Sequence, residues 1–459
     1  MAESKTPKKT PAKKAGRKVP AKKEEPVKKV RKVKEFERPS ARDVVDFINL
    51  RVGNTGPVIR SAGDSWNVFD LRRPCGILAL DLNTGGGLPA GGLSQLDGPE
   101  SVGKNMLMYH HMAQIQKLYG HNACVAMACL EMPLDKRFAQ MCGVRIAMSA
   151  YDIDVENRSR EKRHEPPMTI DEVREAREIP TVGEFLILDQ GGAEAILEGT
   201  LELVKSNRCQ LIGLDSWDSI LTIKEQTTAM GDVPQVASPA NLQTQFMKKL
   251  CDDALRPIYR CADCGGAPLK KEVVSYDTRN YRYACEYCGW KGLDPEVEVN
   301  ESTILAIRQV RAKINLMGKS FGRKYQTGGA HALRHGNLVR ISLHAGKVIR
   351  EGGEKGPAIG KEVNWEIPKG KTGAKEKGAG AISLFYQPLR YDIHNDLIKT
   401  CLELGVIERS GAFLDIPCLD TKIRGKNNLL TLLEEDPGVI SALREAAYIA
   451  FGLDHVRFS

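Results

Sequence analysis

The stretch GPESVGKN, Gly98 to Asn105, follows a short apolar strand pattern, Gly92 to Leu96, and opens a helical run from Met106 to Leu118. That order is the layout of a phosphate-binding loop. Glycines at 98 and 103 let the chain bend, so the backbone N–H groups of Pro99's successors Glu100, Ser101 and Val102 can surround phosphate oxygens. Lys104 adds a point charge, and the helix that follows directs the positive end of its dipole at the anion. The spacing G-x-x-x-x-G-K is specific when a strand precedes it and a helix follows. The residue after Lys104 is a departure: Asn105 stands where the pattern has the Ser or Thr hydroxyl that ligates magnesium. A glycine-rich surface turn without a ligand is the competing reading.

Two further segments suit a nucleotide site. Cys209 to Asp215 reads as a buried strand ending in a carboxylate, and Asp215 could hold magnesium through water. Val125 to Leu130 reads as another parallel strand, and Glu131 beyond it could orient and deprotonate a water that attacks a terminal phosphate. Asp135 and Phe138 follow within one or two helical turns. Phe138 is either a core side chain or a platform for a base. From about residue 75 to 390 strands alternate with helical segments, which predicts a parallel α/β sheet. The charged stretch 152–180 reads as a surface insertion, and after about residue 390 the pattern changes to a compact, mainly helical segment.

A cysteine module interrupts the alternation. Cys261-x-x-Cys264-Gly and Cys285-x-x-Cys288-Gly lie twenty residues apart. Each knuckle offers two thiolates, and the spacing matches a four-cysteine zinc ribbon of the closed, structural kind. Nearby Arg260, Lys270, Lys271, Arg279 and Arg282, with Tyr281 and Tyr283, leave open whether the module touches DNA or is a structural graft. The remaining cysteines in apolar strands, such as Cys124, Cys129 and Cys209, read as core.

Charge is unevenly placed. Residues 1–38 hold 15 Lys or Arg and 5 Asp or Glu, against 67 and 58 in the whole chain, so the remainder is near neutral. This lysine- and proline-rich tail cannot build a packed core; it is expected to be disordered and to hold polyanions with strong salt dependence. A solubilising tail and a localisation signal are the alternatives. No apolar run is long enough to span a bilayer and no signal-peptide segment is evident, so a soluble, cytoplasmic, nucleoid-associated protein is expected.

The ordered motifs GGGLPAGGLSQLDGPESVGKN, LEMPLDKRFAQMCGVR, LIGLDSWDSI, AIRQVRAKINLMG, TGGAHALRHGNLVRI and IPKGK, with LIKTCLELGVIERSGAFLDI near the end, resemble the bacterial and phage RecA recombinase family over about residues 40 to 459 apart from the insertions. The resemblance implies an α/β, RecA-like P-loop ATPase core with a central, mostly parallel sheet over residues 71–389 and a small α+β C-terminal domain over 390–459; the zinc ribbon inserted at 258–293 departs from the family. Residues 39–70 would hold a helix, Ala41–Leu50, and a strand, Pro57–Arg60, that dock on an adjacent protomer.

It also implies roles. Lys104 and the Gly98–Gly103 loop would hold the phosphates of ATP, Glu131 would activate water, and Asp135 and Phe138 would meet adenine. Asp215 would be the magnesium-associated aspartate. Gln309, just past an expected strand Thr303–Ile307, would sense the γ-phosphate, and Lys369 and Lys371 would reach across to the neighbouring subunit's ATP. Two loops, about Thr227–Ser238 and Asn315–Ala332, would hold single-stranded DNA, the second with Lys319, Arg323, Lys324, Gly328 and Gly329. The expected activity is DNA-dependent ATP hydrolysis, slowed by Asn105, in helical filaments that pair single-stranded with duplex DNA. A poorly hydrolysing filament that coats and protects DNA is one alternative. A hexameric helicase-like motor is another, disfavoured by the TGGAHALRH segment.

Overall fold

The computed structural model describes residues 68–458 apart from 149, 178–182, 224, 226–237, 267–268, 276–279, 294, 313–324 and 328–335. The basic tail, the expected Ala41–Leu50 helix and Pro57–Arg60 strand, nearly all of the first DNA loop, and Lys319, Arg323, Lys324, Gly328 and Gly329 lie outside the described residues.

The core is a ten-stranded sheet. Its main strands in chain order are β1 (Gly92–Gly98), β2 (Cys124–Cys129), β3 (Glu184–Leu188), β4 (Leu211–Asp215), β5 (Thr303–Ala312), β6 (Val339–Arg350), β7 (Ala358–Gly370), β8 (Ala379–Tyr386) and β9 (Leu389–Tyr391). Their order across the sheet is β9-β8-β7-β6-β1-β5-β4-β2-β3, with a short strand Tyr325–Thr327 added beside β5. From β6 to β3 every pairing is parallel. The alternation of strands and helices therefore holds up to β6 and then stops: β6 to β9 form an antiparallel wing without intervening helices.

Period-two alternation sends side chains to opposite faces. On β2, Val125, Met127 and Cys129 enter one core, while Cys124, Ala126 and Ala128 enter the other. On β5, Leu305 and Ile307 divide from Ile304 and Ala306 in the same way. Helix α1 (Lys104–Tyr119) covers the first face; α2 (Gly192–Ser206) and α3 (Ser238–Lys249) cover the second. Gly213 lets α1 approach: a Cβ there would stand 2.2 Å from the Met108 sulfur and 2.8 Å from Met112 Cε. The charged stretch forms two mostly exposed helices, Ala150–Lys162 and Ile170–Arg177, laced by ion pairs such as Arg160–Glu172. No helix among the described residues is long and apolar enough to cross a membrane.

The C-terminal unit packs helices Ile393–Glu403, Lys426–Glu435 and Pro437–Ala450 beside a three-stranded antiparallel sheet, Glu408–Ser410, Phe413–Ile416 and Thr421–Arg424. Its core also takes Leu78 and Leu82 from the helix Leu78–Asn83, far earlier in the chain. Two buried carboxylates organise that junction. Asp81 accepts the N–H groups of Cys75 at 2.7 Å and Gly76 at 2.9 Å, and Asp396 accepts Ala79 N–H at 3.1 Å. Arg444, on the last helix, donates to the Gly76 carbonyl.

Burial pushes the carboxyls of Asp81 and Asp396 up from 3.8 to about 6, against the pull of Arg444 and the N–H donors. A carboxyl with a raised folded pKa binds more protons folded than unfolded between those values, so stability rises as pH falls from about 6 to about 4. Asp396→Asn and Asp81→Asn are expected to flatten that rise in melting temperature. An unchanged slope in melts run across the window would assign the dependence to other groups.

Candidate functional site

The chain leaves β1 at Gly98 and enters α1 at Lys104 through a loop that needs glycine. A Cβ at Gly98 would stand 2.8 Å from Val102 Cγ1 and 3.0 Å from the Leu343 carbonyl oxygen, and Gly103 has φ +107°. No side chain caps the first turn of α1, so its leading N–H groups remain for an anion. Lys104 Nζ arches over the loop, donating to the carbonyls of Gly98 at 3.0 Å and Pro99 at 2.7 Å. Burial lowers the pKa of Lys104, and Asp215, Glu100 and Glu131 oppose that shift.

Parallel register brings the other groups to the same sheet edge. Cys129 lies opposite Asp215, and Gln309 lies opposite Gly98. Past the end of β2, Leu130 and Glu131 both donate N–H to the Asp215 carbonyl, at 2.7 and 3.2 Å, which fixes Glu131 beside β4. Asn105 Nδ2 donates to Asp215 Oδ2 at 2.5 Å. Ser216 Oγ donates to Glu131 Oε2 at 2.8 Å, and Gln309 Nε2 donates to Glu131 Oε1 at 3.3 Å. Burial raises the Asp215 pKa; the Asn105 bond works against this, and the nearby Glu131 charge adds to it.

Gln309 does not lie past a strand that ends at Ile307: β5 continues to Ala312 and contains it. Arg308, the first residue past the expected end, is 1% exposed and bonded to Asp218 at 3.1 Å. A long-range partner thus permits the strand to run on.

Lys104, Asn105, Glu131, Asp215 and Gln309 line a cavity of about 270 Å³ together with Asp135 and Phe138. Asp135 caps the helix Lys136–Met141, accepting Phe138 N–H at 3.0 Å. Phe138 meets Tyr109 edge-on, with ring centroids 5.9 Å apart. A second hollow of about 400 Å³ adjoins the loop, lined by Ser101, Lys104, Phe138, Lys361, Tyr386 and Leu389. Sequence reasoning missed Lys361, which donates to the Ser101 carbonyl, as well as Tyr386 and Ser216. Lys361 and Tyr386 sit on the antiparallel wing, more than 250 residues from the loop, where no local motif marks them.

Lys369 and Lys371 are not among the side chains lining either cavity. Lys369 lies on β7 opposite Arg340, and its Nζ donates to Asn337 Oδ1 at 2.6 Å. Burial, with Lys371 and Arg340 adding repulsion, lowers its pKa to about 8.

The four module cysteines converge. Their sulfurs all lie within 4.8 Å of one another, with Cys261–Cys288 at 3.5 Å and Cys264–Cys285 at 3.6 Å. Tetrahedral zinc with Zn–S bonds of about 2.3 Å needs sulfurs roughly 3.8 Å apart, so the donor set fits. The glycine after each knuckle has a physical cause: Gly265 (φ +69°) and Gly289 (φ +78°) donate N–H to the carbonyls of Cys261 and Cys285, closing matching turns. Among the described residues, four of the module's cations are engaged in ion pairs. Arg260 pairs with Glu298, Lys270 with Glu286, and Arg282 and Lys291 share Glu272.

Residues 47–152 match the sequence model of the RecA N-terminal domain. The chain is 25% identical to Protein RecA of Petrotoga mobilis over 375 residues, covering 81% of this chain and 77% of that protein. It is also 25% identical to Protein RecA of Thermotoga neapolitana over 385 residues, 83% and 84% of the two chains. For Protein RecA of Oleidesulfovibrio alaskensis the identity is 24% over 414 residues, 90% of each. The match to the RecA N-terminal model thus falls on the part of the chain that enters the mostly parallel α/β core, and similarity to RecA proteins runs through most of the chain's length.

Proposed function

We propose that this chain is an ATP-dependent recombinase that assembles into filaments on single-stranded DNA and promotes pairing and strand exchange with duplex DNA. The observation that carries the reading is the gathering of Lys104, Asn105, Glu131, Asp215 and Gln309 around one cavity at the ends of parallel strands. RecA-named relatives along most of the chain give the reaction class.

In this reading Lys104 and the first-turn N–H groups of α1 hold the β- and γ-phosphates. Asn105 and Asp215 hold magnesium, which neutralises phosphate charge when bound. Glu131, kept in place by Ser216, accepts the proton of the attacking water. Gln309 starts on Glu131 and exchanges that bond for the terminal phosphate, linking nucleotide state to the DNA loop that follows β5. Lys369 and Lys371 serve the neighbouring subunit's nucleotide, consistent with their absence from this chain's own cavity. Such a protein would work at the nucleoid in the cytoplasm.

A coating filament that hydrolyses poorly is the second reading, favoured by the Asn105–Asp215 bond. ATP turnover that rises with single-stranded DNA, together with filaments in electron micrographs, supports the recombinase; filaments without turnover support the coat.

Transition-state cations on a different chain from the phosphate loop predict interface complementation. Lys369→Ala with Lys371→Ala should abolish DNA-stimulated hydrolysis while nucleotide binding through Lys104 persists. Mixing that variant with Glu131→Gln should restore part of the activity, because some mixed interfaces are intact; no rescue would indicate a self-contained site.

Asn105 predicts slow turnover with a high magnesium requirement, since magnesium demands near-octahedral oxygens at about 2.1 Å and the longer amide alters that geometry. Asn105→Thr should raise turnover at limiting magnesium. An unaltered rate and magnesium dependence would make the amide an equivalent ligand.

The cysteine cluster predicts about one zinc per chain, bound with an apparent free energy of roughly 10 kcal/mol or more at neutral pH. Cys261→Ser with Cys264→Ser should abolish metal binding and unfold the module locally, because its small core is built on Cys261, Cys285 and Leu269, while the main sheet melts as before. Elemental analysis of reductively purified protein that finds no stoichiometric metal would refute the site.

A further inference from the structure

Beneath the phosphate loop, outside the nucleotide cavity, two aspartates and two arginines are packed together. Asp97, the residue before Gly98, is 3% exposed and lies opposite Arg308 in the β1–β5 register. Arg340 Nε on β6 approaches Asp97 Oδ2 at 3.7 Å. On its other side, Arg308 donates to Asp218 Oδ1 at 3.1 Å, and Asp218 Oδ2 accepts the backbone N–H of Gln309 at 2.9 Å. Taken together the four charges balance, which is what permits their burial.

The location explains why an ion pair is needed. The β5–β4 ladder runs from Thr303–Leu211 only to Ala306–Leu214, after which β4 ends. Gln309 N–H lies beyond that ladder, and the Asp218 carboxylate supplies the acceptor. A carboxylate accepting an N–H makes a stronger, better-directed bond than a neutral acceptor, and the Arg308 bond to the other oxygen keeps that carboxylate aimed. A second arm leaves Asp97: Gln95 Nε2 donates to Asp97 Oδ1, Asn337 Nδ2 donates to Gln95 Oε1 at 2.9 Å, and Lys369 Nζ donates to Asn337 Oδ1. Polar contacts thus run from Lys369 to Asp97, which lies opposite Arg308 in the β1–β5 register.

We infer that Asp218 and Arg308 are positioning residues for Gln309: they fix its backbone so that its side chain spans from Glu131 to the terminal phosphate. The inference rests on the proposed ATP-hydrolysing function. Neither residue is among those lining the cavities at the phosphate loop, so their loss should act on turnover more than on binding.

The test uses the full chain with ATP, magnesium and a single-stranded oligothymidylate. In Asp218→Asn the amide cannot accept from both Arg308 and Gln309, since one of its two atoms is a donor. DNA-stimulated kcat should fall about tenfold or more while KM for ATP stays within about threefold. Arg308→Lys, which keeps the charge, should retain more activity than Arg308→Gln. The double variant Asp218→Asn/Arg308→Gln removes the unpaired charge, so its melting temperature should recover relative to Asp218→Asn while kcat stays low. Recovery of kcat along with melting temperature would overturn the positioning role and leave charge balance alone. A wild type that turns over beside an unimpaired Asp218→Asn would overturn the inference only; a wild type without DNA-stimulated turnover would overturn the proposed function with it.

Discussion

The site depends on one register, the parallel pairing of β5 with β1 that sets Gln309 opposite Gly98. Because β4 pairs with β5 and β2 pairs with β4, the same alignment puts Asp215 and Glu131 at the carboxyl edge beside the phosphate loop. A slip of one residue would turn every side chain on β5 to the opposite face. Gln309 would leave Glu131, and Leu305 and Ile307 would exchange cores with Ile304 and Ala306. Hydrophobic burial on both faces therefore specifies the chemistry at the edge.

That register is enforced by close packing against α1. Gly213 has no side chain because Met108 and Met112 occupy the space, so the helix that presents Lys104 and Asn105 rests directly on β4. Asn105 can then reach Asp215. The position of the amide is thus a consequence of helix–sheet contact one turn further along α1, and the loop and the carboxylate move as a unit.

Features carried by contiguous residues were legible in sequence. The phosphate loop and the cysteine knuckles each need backbone conformations that a few neighbouring glycines provide, so their spacing alone marks them. Strand-terminal carboxylates at Glu131 and Asp215 were legible because the apolar runs before them are fully buried on both faces. What depends on distant partners was not. β5 was expected to end before Arg308, because nothing local says that Asp218, ninety positions away, will neutralise it. The antiparallel wing escaped notice because its long strands are half exposed and follow no strand–helix alternation, and with it went Lys361 and Tyr386. The C-terminal core was read as starting near residue 390, yet Leu78 and Leu82 complete it through a contact across more than 300 residues.

The placement of charge separates the parts of the molecule by task. Among the described residues of the cysteine module, Arg260, Lys270, Arg282 and Lys291 are matched by Glu298, Glu286 and Glu272, so the field these four groups present is weakened. The basic excess of the sequence lies instead in residues 1–38, where acidic side chains are few. Inside the core the same logic runs in reverse: Asp97, Asp218, Arg308 and Arg340 neutralise one another out of water, where charge contributes geometry in place of attraction.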